Sequence, residues 1–591
     1  MGFLCRLRRI QIDKLKAKCM LDTPTRSESN VKLARPVMTP FWLFSWAVAL
    51  STAWLLPNHY LPWSGFHFDL WVACILSLAS AAVIIRSSAT VQWHGVTVLC
   101  GLLLLIPALQ HAAGMMVFAG NTWVSIAYLT GLLLALLTGA KWELKNPGQL
   151  ADGLFLAIGL ASVASVGLQL HQWLRLDTLE IWIMPDNFGR PFANFGQPNQ
   201  LGTFLLWGML ALGWGVLRHY VGRASAVLIS AFLLFGLALT QSRTAWLAVV
   251  LLVVAAFLWR NRWPSRWVPA VIVLMALYFY LCAFYMGEIS QLLLIDRVEF
   301  LNADRISGDA RPAIWRLFVD AAWQRPWWGY GWNQVVLGQF EVALDHPSLR
   351  SMFGHSHNLF LDLILWCGIP VGLLASCLLV LWLLRRIRAV RDAEEAVLVL
   401  FLLVVANHAM LELPLHYAYM LLPVGMVAGA LNARQAATTV FSTGRWPFAA
   451  VWTVSVLLLG LIVRDYSRVE PGYQLLRYEW AQIKTDPGKP PDVLLLTQWR
   501  EFIRLARFEP TPGMGQSDLE WMRDVTRIHP GAGPFQKMAT ALALNGRPEE
   551  ARKWLQLLCK MTPESQCALV GRVWGKMAEL DPRIAAVPWP N

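Results

Sequence analysis

His357 and Asn358 close a long polar stretch and lead straight into an apolar run, with His355 just before them and Asp362 one turn further on. An imidazole, whose ordinary pKa is about 6.5, can take the proton from a hydroxyl as that hydroxyl attacks. A lone histidine at a helix start is usually a satisfied ring. Ionisable groups at the edge of a lipid-buried helix are nevertheless candidates for function, and the company of Asn358, His355 and Asp362 favours the chemical reading. Two histidines without a third ligand at metal spacing do not make a metal site, so neither a metal nor another cofactor is expected.

Arg243 lies in Gln241-Ser-Arg-Thr244, a very short turn between two apolar runs. Its plain reading is a snorkelling or paired arginine. Its chemical reading is a fixed guanidinium whose planar fork grips a phosphate. Arg311 is a second candidate, although its loop also carries Arg297, Arg305, Arg316, Arg325 and Arg350, and an arginine in such company is more often solvated surface. Asn194, Gln197, Asn199 and Gln200 crowd the start of another apolar run, together with Arg190, Phe192 and Phe195. Helix capping and a turn at Pro198 account for one or two of these amides. The rest suit hydrogen bonds to sugar hydroxyls, with the aromatic faces against a sugar ring. Glu412, His416 and Tyr417 interrupt a further pair of runs. They could orient the histidine or an arginine; a purely structural pairing of Glu412 with an arginine is as good a reading.

Membrane helices must carry these groups. The 591 residues are 56% hydrophobic and only 15% charged, against roughly a quarter charged in a soluble protein. Apolar runs fall at 41–57, 68–85, 91–109, 119–139, 150–170, 201–217, 224–240, 244–259, 267–285, 357–384, 394–410, 414–431 and 447–463. Each is about the length that crosses a bilayer, so thirteen spans are expected. The net charge of +13 does not signal nucleic acid, because no zinc-finger, helix-turn-helix or RNA-binding pattern accompanies it. Basic residues fall instead on alternate loops: Arg86, Lys141 with Lys145, Arg218, Arg260, Arg385 and Arg434. They share a side with the basic N-terminus, which the positive-inside rule makes cytoplasmic. An odd number of spans then puts the C-terminal tail outside.

The expected architecture is an all-α polytopic membrane protein with about 13 transmembrane helices. Residues 1–37 form a basic cytoplasmic tail, residues 38–464 the transmembrane domain, and residues 465–591 an external helical domain. Within the second, residues 286–356 form a periplasmic loop too long to be a mere connector. Ala539 to Ala551 has the small-residue, short-turn character of a tetratricopeptide-like helix pair, suited to gripping a partner. Cys559 and Cys567 could pair there if the compartment is oxidising. Cys74, Cys100, Cys282, Cys367 and Cys377 read as small buried hydrophobes.

All the polar clusters then face the outer boundary of the bilayer. They offer cations for phosphate, amides and aromatics for sugar, and an imidazole for a proton. A lipid-linked sugar diphosphate has these needs in this geometry, and fixed guanidinium groups would stabilise the charge that develops on the leaving diphosphate. A transporter places charged groups and broken helices near the midplane, whereas here the centres of the runs are apolar.

His357-Asn358, followed after nine residues by Gly368-Ile-Pro-Val371, resembles the His-Asn and Gly-x-x-Val signature of the Wzy/WaaL-type superfamily of glycan polymerases and O-antigen ligases. Phe192-Ala-Asn-Phe-Gly-Gln-Pro-Asn-Gln200 looks like the segment of its PglL-type protein O-oligosaccharyltransferases, which glycosylate pilins of Gram-negative bacteria. The resemblance covers residues 150–431 and extends to the external tail. It implies a bacterial inner-membrane enzyme that moves a preassembled glycan from undecaprenyl diphosphate to Ser or Thr of periplasmic proteins such as type IV pilin, inverting and without metal. It gives His357 the role of the essential histidine, and Arg243 and Arg311 the diphosphate. Gln197 and Tyr417, the latter with Tyr419 as rival, match positions needed in the protein-glycosylating branch. Asn194, Asn199, Asn358 and Glu412 join them as glycan- or acceptor-binding candidates. The alternatives are an O-antigen ligase acting on lipid A-core, a Wzy-type polymerase and, outside enzymes, a lipid-linked glycan transporter.

Overall fold

The computed structural model describes residues 36–176, 178–179, 181–185, 190–295, 310–483 and 488–590. Residues 1–35 of the basic tail, and Arg297 and Arg305 of the long loop, lie outside the described residues. Each of the thirteen apolar runs forms helix, as lipid requires: a chain in hydrocarbon must satisfy its own backbone groups. The sequence supplies the starts. Ser242, Asn358 and Asp392 accept backbone N–H bonds as N-caps, and Pro198 stands in the first turn of Pro198–Leu217. Among the described residues, seven helices are long and apolar enough to cross a membrane, or eight if the bent pair Val268–Phe284 and Met286–Leu292 is one span. The protein is an all-α membrane protein, with one antiparallel strand pair among the described residues, Val91–His94 with Thr439–Thr443.

Several of the remaining helices are short. Arg243–Leu258 has 16 residues, about 24 Å of helix against a hydrocarbon core of about 30 Å. A short helix lets the polar segment at its end sit within the boundary of the bilayer. The run at 357–384 is not one helix but two, Leu359–Cys367 and Ile369–Arg388, parted at Gly368. There the backbone of Pro326 to Tyr330 packs into the break: Ile369 N donates to Pro326 O at 2.6 Å and Tyr330 N to Leu365 O at 2.7 Å. Hydropathy could not show this, because both halves are apolar.

The bundle has two chemically distinct ends. At one, Arg434 bonds Glu143 at 2.8 Å and Glu394 at 2.6 Å, and Arg218 bonds Asp152 at 3.2 Å. These residues terminate helices Ala119–Lys145, Pro198–Leu217 and Ala418–Arg434, or begin Gln149–Trp173 and Ala393–Ala409. Of the basic residues expected to share a side, Arg218 and Arg434 meet here through Glu394. The opposite ends of the same helices carry Asn199, Leu411, Glu412 and Tyr417. Between the two, aromatic stacking such as Trp207 on Phe401, with centroids 4.0 Å apart, ties Pro198–Leu217 to Ala393–Ala409. Such a pair adds about 1 kcal/mol beyond its burial. Gly139, Gly425 and Gly429 bring Ala119–Lys145 and Ala418–Arg434 into backbone contact; a Cβ on Gly429 would lie 2.1 Å from Leu136 O. Small residues allow membrane helices this approach.

Helices Arg311–Gln324 and Val335–Val342 of the long loop lie between the bundle and the C-terminal helices. Phe340 sits 5.5 Å from Phe535 and 5.8 Å from Trp554. Cys559 and Cys567 form a disulfide, and the carbonyls of Cys559 and Lys560 accept bonds from Ser348 and Arg350. The expected boundary between residues 464 and 465 falls inside a single 36-residue helix, Arg445–Trp480. The composition changes there within one continuous backbone. Buried Asp465 accepts from Leu494 N at 2.9 Å and Leu496 N at 3.1 Å, fastening the next segment to that helix.

Candidate active site

His357 sits in the left-handed region, with φ of 59°, a conformation uncommon outside glycine. Asn358 then turns the chain into the helix: its Oδ1 accepts from Phe360 N and Leu361 N, and its Nδ2 donates to Met410 O at 3.3 Å. The amide predicted to touch glycan therefore works as a cap and as a tether to the segment after Ala393–Ala409. Asp362, buried, accepts from Ser356 N at 2.7 Å and braces the same turn.

The residue that draws the site together is Glu412. Its Oε2 lies 3.0 Å from His357 Nδ1, and its Oε1 lies 2.7 Å from Arg311 Nη2 and 3.3 Å from Asn199 Nδ2. Arg311 also donates from Nε to Leu411 O at 2.9 Å. The side chains of Arg311 and Glu412 are 12% exposed and that of His357 is 20% exposed, so the ring remains reachable. Burial would push the Glu412 carboxyl up; the hydrogen bond from His357 and the charge of Arg311 outweigh it and hold the pKa at about 2. An ionised carboxylate can only accept, so His357 donates to it from Nδ1. His355, whose ring is 4.2 Å from that of His357, is pressed well below the usual histidine range by burial and by its histidine neighbours. It stays neutral beside the working ring. Among the described residues no group of three or more His, Cys, Asp or Glu is placed to hold a metal ion.

Arg243 is the first residue of its helix, directly after Ser242. Ser242 Oγ donates to Asn199 Oδ1 at 2.7 Å, and Asn199 in turn donates to Glu412. Arg243, Asn199, Glu412, Arg311 and His357, from five separate helix ends, are thus tied into one neighbourhood. Ser242 was missed by the sequence reading; its position ahead of an apolar run was the capping signal that could have found it.

The other candidates divide. Asn194 is fully buried, accepts from Met184 N at 3.0 Å, and donates to Leu55 O at 2.8 Å and Trp182 O at 2.9 Å. Its amide is saturated by backbone, which makes it a structural residue and not a sugar contact. Gln197 is partly exposed, 3.5 Å from Gln200 Nε2. Tyr419 is buried with its hydroxyl 2.5 Å from Gln200 Oε1, whereas Tyr417, its ring 5.2 Å away, lines a cavity. Of the two rivals, Tyr417 is the one within reach of a ligand. Asp69 was also overlooked: buried in Phe66–Arg86, it holds the hydroxyl of Tyr128 and the N–H of Tyr419, 3.1 Å away. The signal was a lone acid in an apolar run.

The pKa of Glu412 makes a prediction. A carboxyl held at about 2, below the ordinary 4.5, contributes stability in full above the ordinary value and loses it as pH falls through the lower one. Wild-type protein should melt several degrees above Glu412→Gln at pH 5 to 8, with the gap closing between pH 4.5 and 2. A melting series across that window checks it; a gap unchanged at its acid end would contradict the ion pairs.

A family model described as O-antigen ligase matches residues 228–376, the stretch that holds Arg243, Arg311, His357 and Gly368. A model described as protein glycosylation ligase matches residues 191–214, which include Gln197 and Asn199. A model of the C-terminal part of a virulence-factor membrane-bound polymerase matches residues 396–574. The general O-oligosaccharyltransferase of Acinetobacter baylyi is 27% identical over 538 residues, 89% of this chain and 93% of that protein. The ComP-specific O-oligosaccharyltransferase of the same organism is 27% identical over 329 residues, 55% of this chain and 59% of that one. With these likenesses falling on the segments that build the site, the chain is a multi-pass membrane glycosyltransferase similar to O-antigen ligases and protein O-oligosaccharyltransferases.

Proposed function

We propose that the enzyme moves a preassembled glycan en bloc from undecaprenyl diphosphate to Ser or Thr hydroxyls of periplasmic proteins, type IV pilin among them. The observation that carries this reading is Glu412 binding Arg311 and His357 at once, 2.7 and 3.0 Å away. One carboxylate thereby sets a cation for the leaving diphosphate beside a base for the attacking hydroxyl. Arg311 and Arg243 bind the diphosphate. The acceptor oxygen attacks the anomeric carbon, and His357 Nε2 takes its proton. The bond from that carbon to the phosphate oxygen breaks, and its electron pair leaves on the diphosphate, whose charge the guanidinium groups stabilise. Attack opposite the leaving group inverts the anomeric centre. The proton then passes from His357 to the departed diphosphate or to solvent. Gln197, Asn199 and Tyr417 meet the glycan or the acceptor.

The same reading places thirteen crossings in the bacterial inner membrane, with the N-terminus cytoplasmic and the long loop and C-terminal helices periplasmic. The alternate-loop spacing of the basic residues supports that orientation, as does the disulfide between Cys559 and Cys567, a bond that persists in oxidising compartments. The test is transfer in vitro: purified protein, undecaprenyl-diphosphate-linked glycan and pilin should give pilin heavier by one whole glycan. The O-antigen ligase match at 228–376 supports a second reading, with a lipid A-core sugar as acceptor. Glycan moving to lipid A-core while pilin stays unmodified would select it.

A further inference from the structure

Arg243 is fastened through its neighbours on both sides. Ser242 Oγ donates to Asn199 Oδ1 at 2.7 Å, and Thr244 O accepts from Asn407 Nδ2 at 3.0 Å. Asn407 stands 163 residues after Thr244, in the last turn of Ala393–Ala409, and is 9% exposed. A buried amide that gives up its partner is left unsatisfied, so this bond holds the start of Arg243–Leu258 against the end of Ala393–Ala409 in one register.

The residues that follow Asn407 fasten the rest of the site. His408 Nδ1 lies 2.8 Å from Thr203 Oγ1, in the helix that carries Asn199. Met410 O accepts from Asn358 Nδ2 at 3.3 Å and Leu411 O from Arg311 Nε at 2.9 Å, and Glu412 holds both Arg311 and His357. The backbone here is itself a bonded turn, with Met410 N on Ala406 O and both Leu411 N and Glu412 N on His408 O. The six residues Asn407–Glu412 therefore hold the Arg243 turn at one end and Arg311 at the other, and the turn between cannot stretch without breaking its own bonds.

We propose that Asn407 is a positioning residue for the donor: it sets Arg243 at a fixed separation from Arg311, so that the two guanidinium groups match two linked phosphates in preference to one. The inference rests on the reading above, that both arginines bind the diphosphate, and deepens it by naming what sets their spacing. A guanidinium gives its paired bonds only to a phosphate aligned with its planar fork. Without Asn407 the tie from Ser242 to Asn199 still keeps Arg243 near the site, but its fork is no longer aligned with that of Arg311. Asn407 acts through the first turn of Arg243–Leu258 and not on the lipid itself.

The experiment measures binding to the full chain in nanodiscs, with undecaprenyl diphosphate and undecaprenyl phosphate as the two probes. Wild-type protein should prefer the diphosphate. Asn407→Leu keeps a branched side chain and loses the bond; it should weaken diphosphate binding about tenfold, which corresponds to about 1.4 kcal/mol, and leave monophosphate binding within about twofold. Asn407→Ala, smaller and equally unable to donate, should shift the preference by the same factor. The double variant Asn407→Leu, Arg243→Ala should bind the diphosphate as Arg243→Ala does, within about twofold, because the asparagine acts only through that arginine. Equal losses for the two lipids would assign Asn407 to packing and overturn the proposal. So would single variants that differ from each other, failure of both to fold, losses that multiply in the double variant, or no change at all. Wild-type protein that binds both lipids alike rejects the reading of paired arginines itself, an outcome seen before any variant is made.

Discussion

Alanine at position 357 should cut glycan transfer by about a thousandfold and leave the protein folded. General-base catalysis by a positioned side chain contributes roughly 10²–10⁴-fold, and this imidazole is held for that task by Glu412 at 3.0 Å on its Nδ1. The backbone complicates the experiment, since φ at this residue is 59° and alanine adopts it less readily than asparagine. His357→Asn keeps the conformation and removes the base, so the two variants should lose activity alike while the asparagine variant melts closer to wild type. Residues that act as one unit show strongly non-additive losses. A doubly substituted His357→Ala, Glu412→Gln protein should therefore lose more than His357→Ala, through Arg311, but clearly less than the product of the two single losses. Initial rates of transfer decide this. Multiplicative losses would mean that Glu412 acts through Arg311 alone.

Gly368→Ala should lower stability by about 3 kcal/mol or more and abolish transfer with it. Gly368 has φ of 83°, and a Cβ there would lie 2.2 Å from Trp327 O. Neither backbone can yield cheaply, because the two are joined through Ile369 N to Pro326 O and Tyr330 N to Leu365 O. Strain of this kind costs on the order of 1–3 kcal/mol, and the overlap adds to it. Prising the segments apart would move Arg311–Gln324, which carries Arg311, relative to Leu359–Cys367, which follows His357. Val371 of the same signature is 40% exposed, so Val371→Ala should cost less than about 1 kcal/mol. Thermal melting of the purified variants separates them; equal effects would show that the break is not what the glycine serves.

Much of this protein can be read along the chain, because the forces concerned act between near neighbours. Apolar runs become helices since lipid leaves the backbone no other partner, so each of the thirteen runs carries a helix, the one at 91–109 after a short strand, Val91–His94. Caps are equally local: Asn358 and the serine ahead of Arg243 each bond N–H groups two or three residues on. The segregation of basic residues is visible in the spacing of loops and reappears as the Arg218, Glu394 and Arg434 cluster.

What the chain order hides is which of many polar residues meet. Arg311 looked like one arginine among several in its loop, and folding singles it out by bringing it against Glu412, 101 residues away. Asn194 and Asn199 stand five positions apart in one amide-rich motif, yet the first is buried in backbone bonds and the second reaches the carboxylate. The break at Gly368 and the helix that runs unbroken through residue 465 were hidden for the same reason. Hydropathy records where a segment dissolves, and only packing against distant segments settles where its backbone bends and which side chains share a charge.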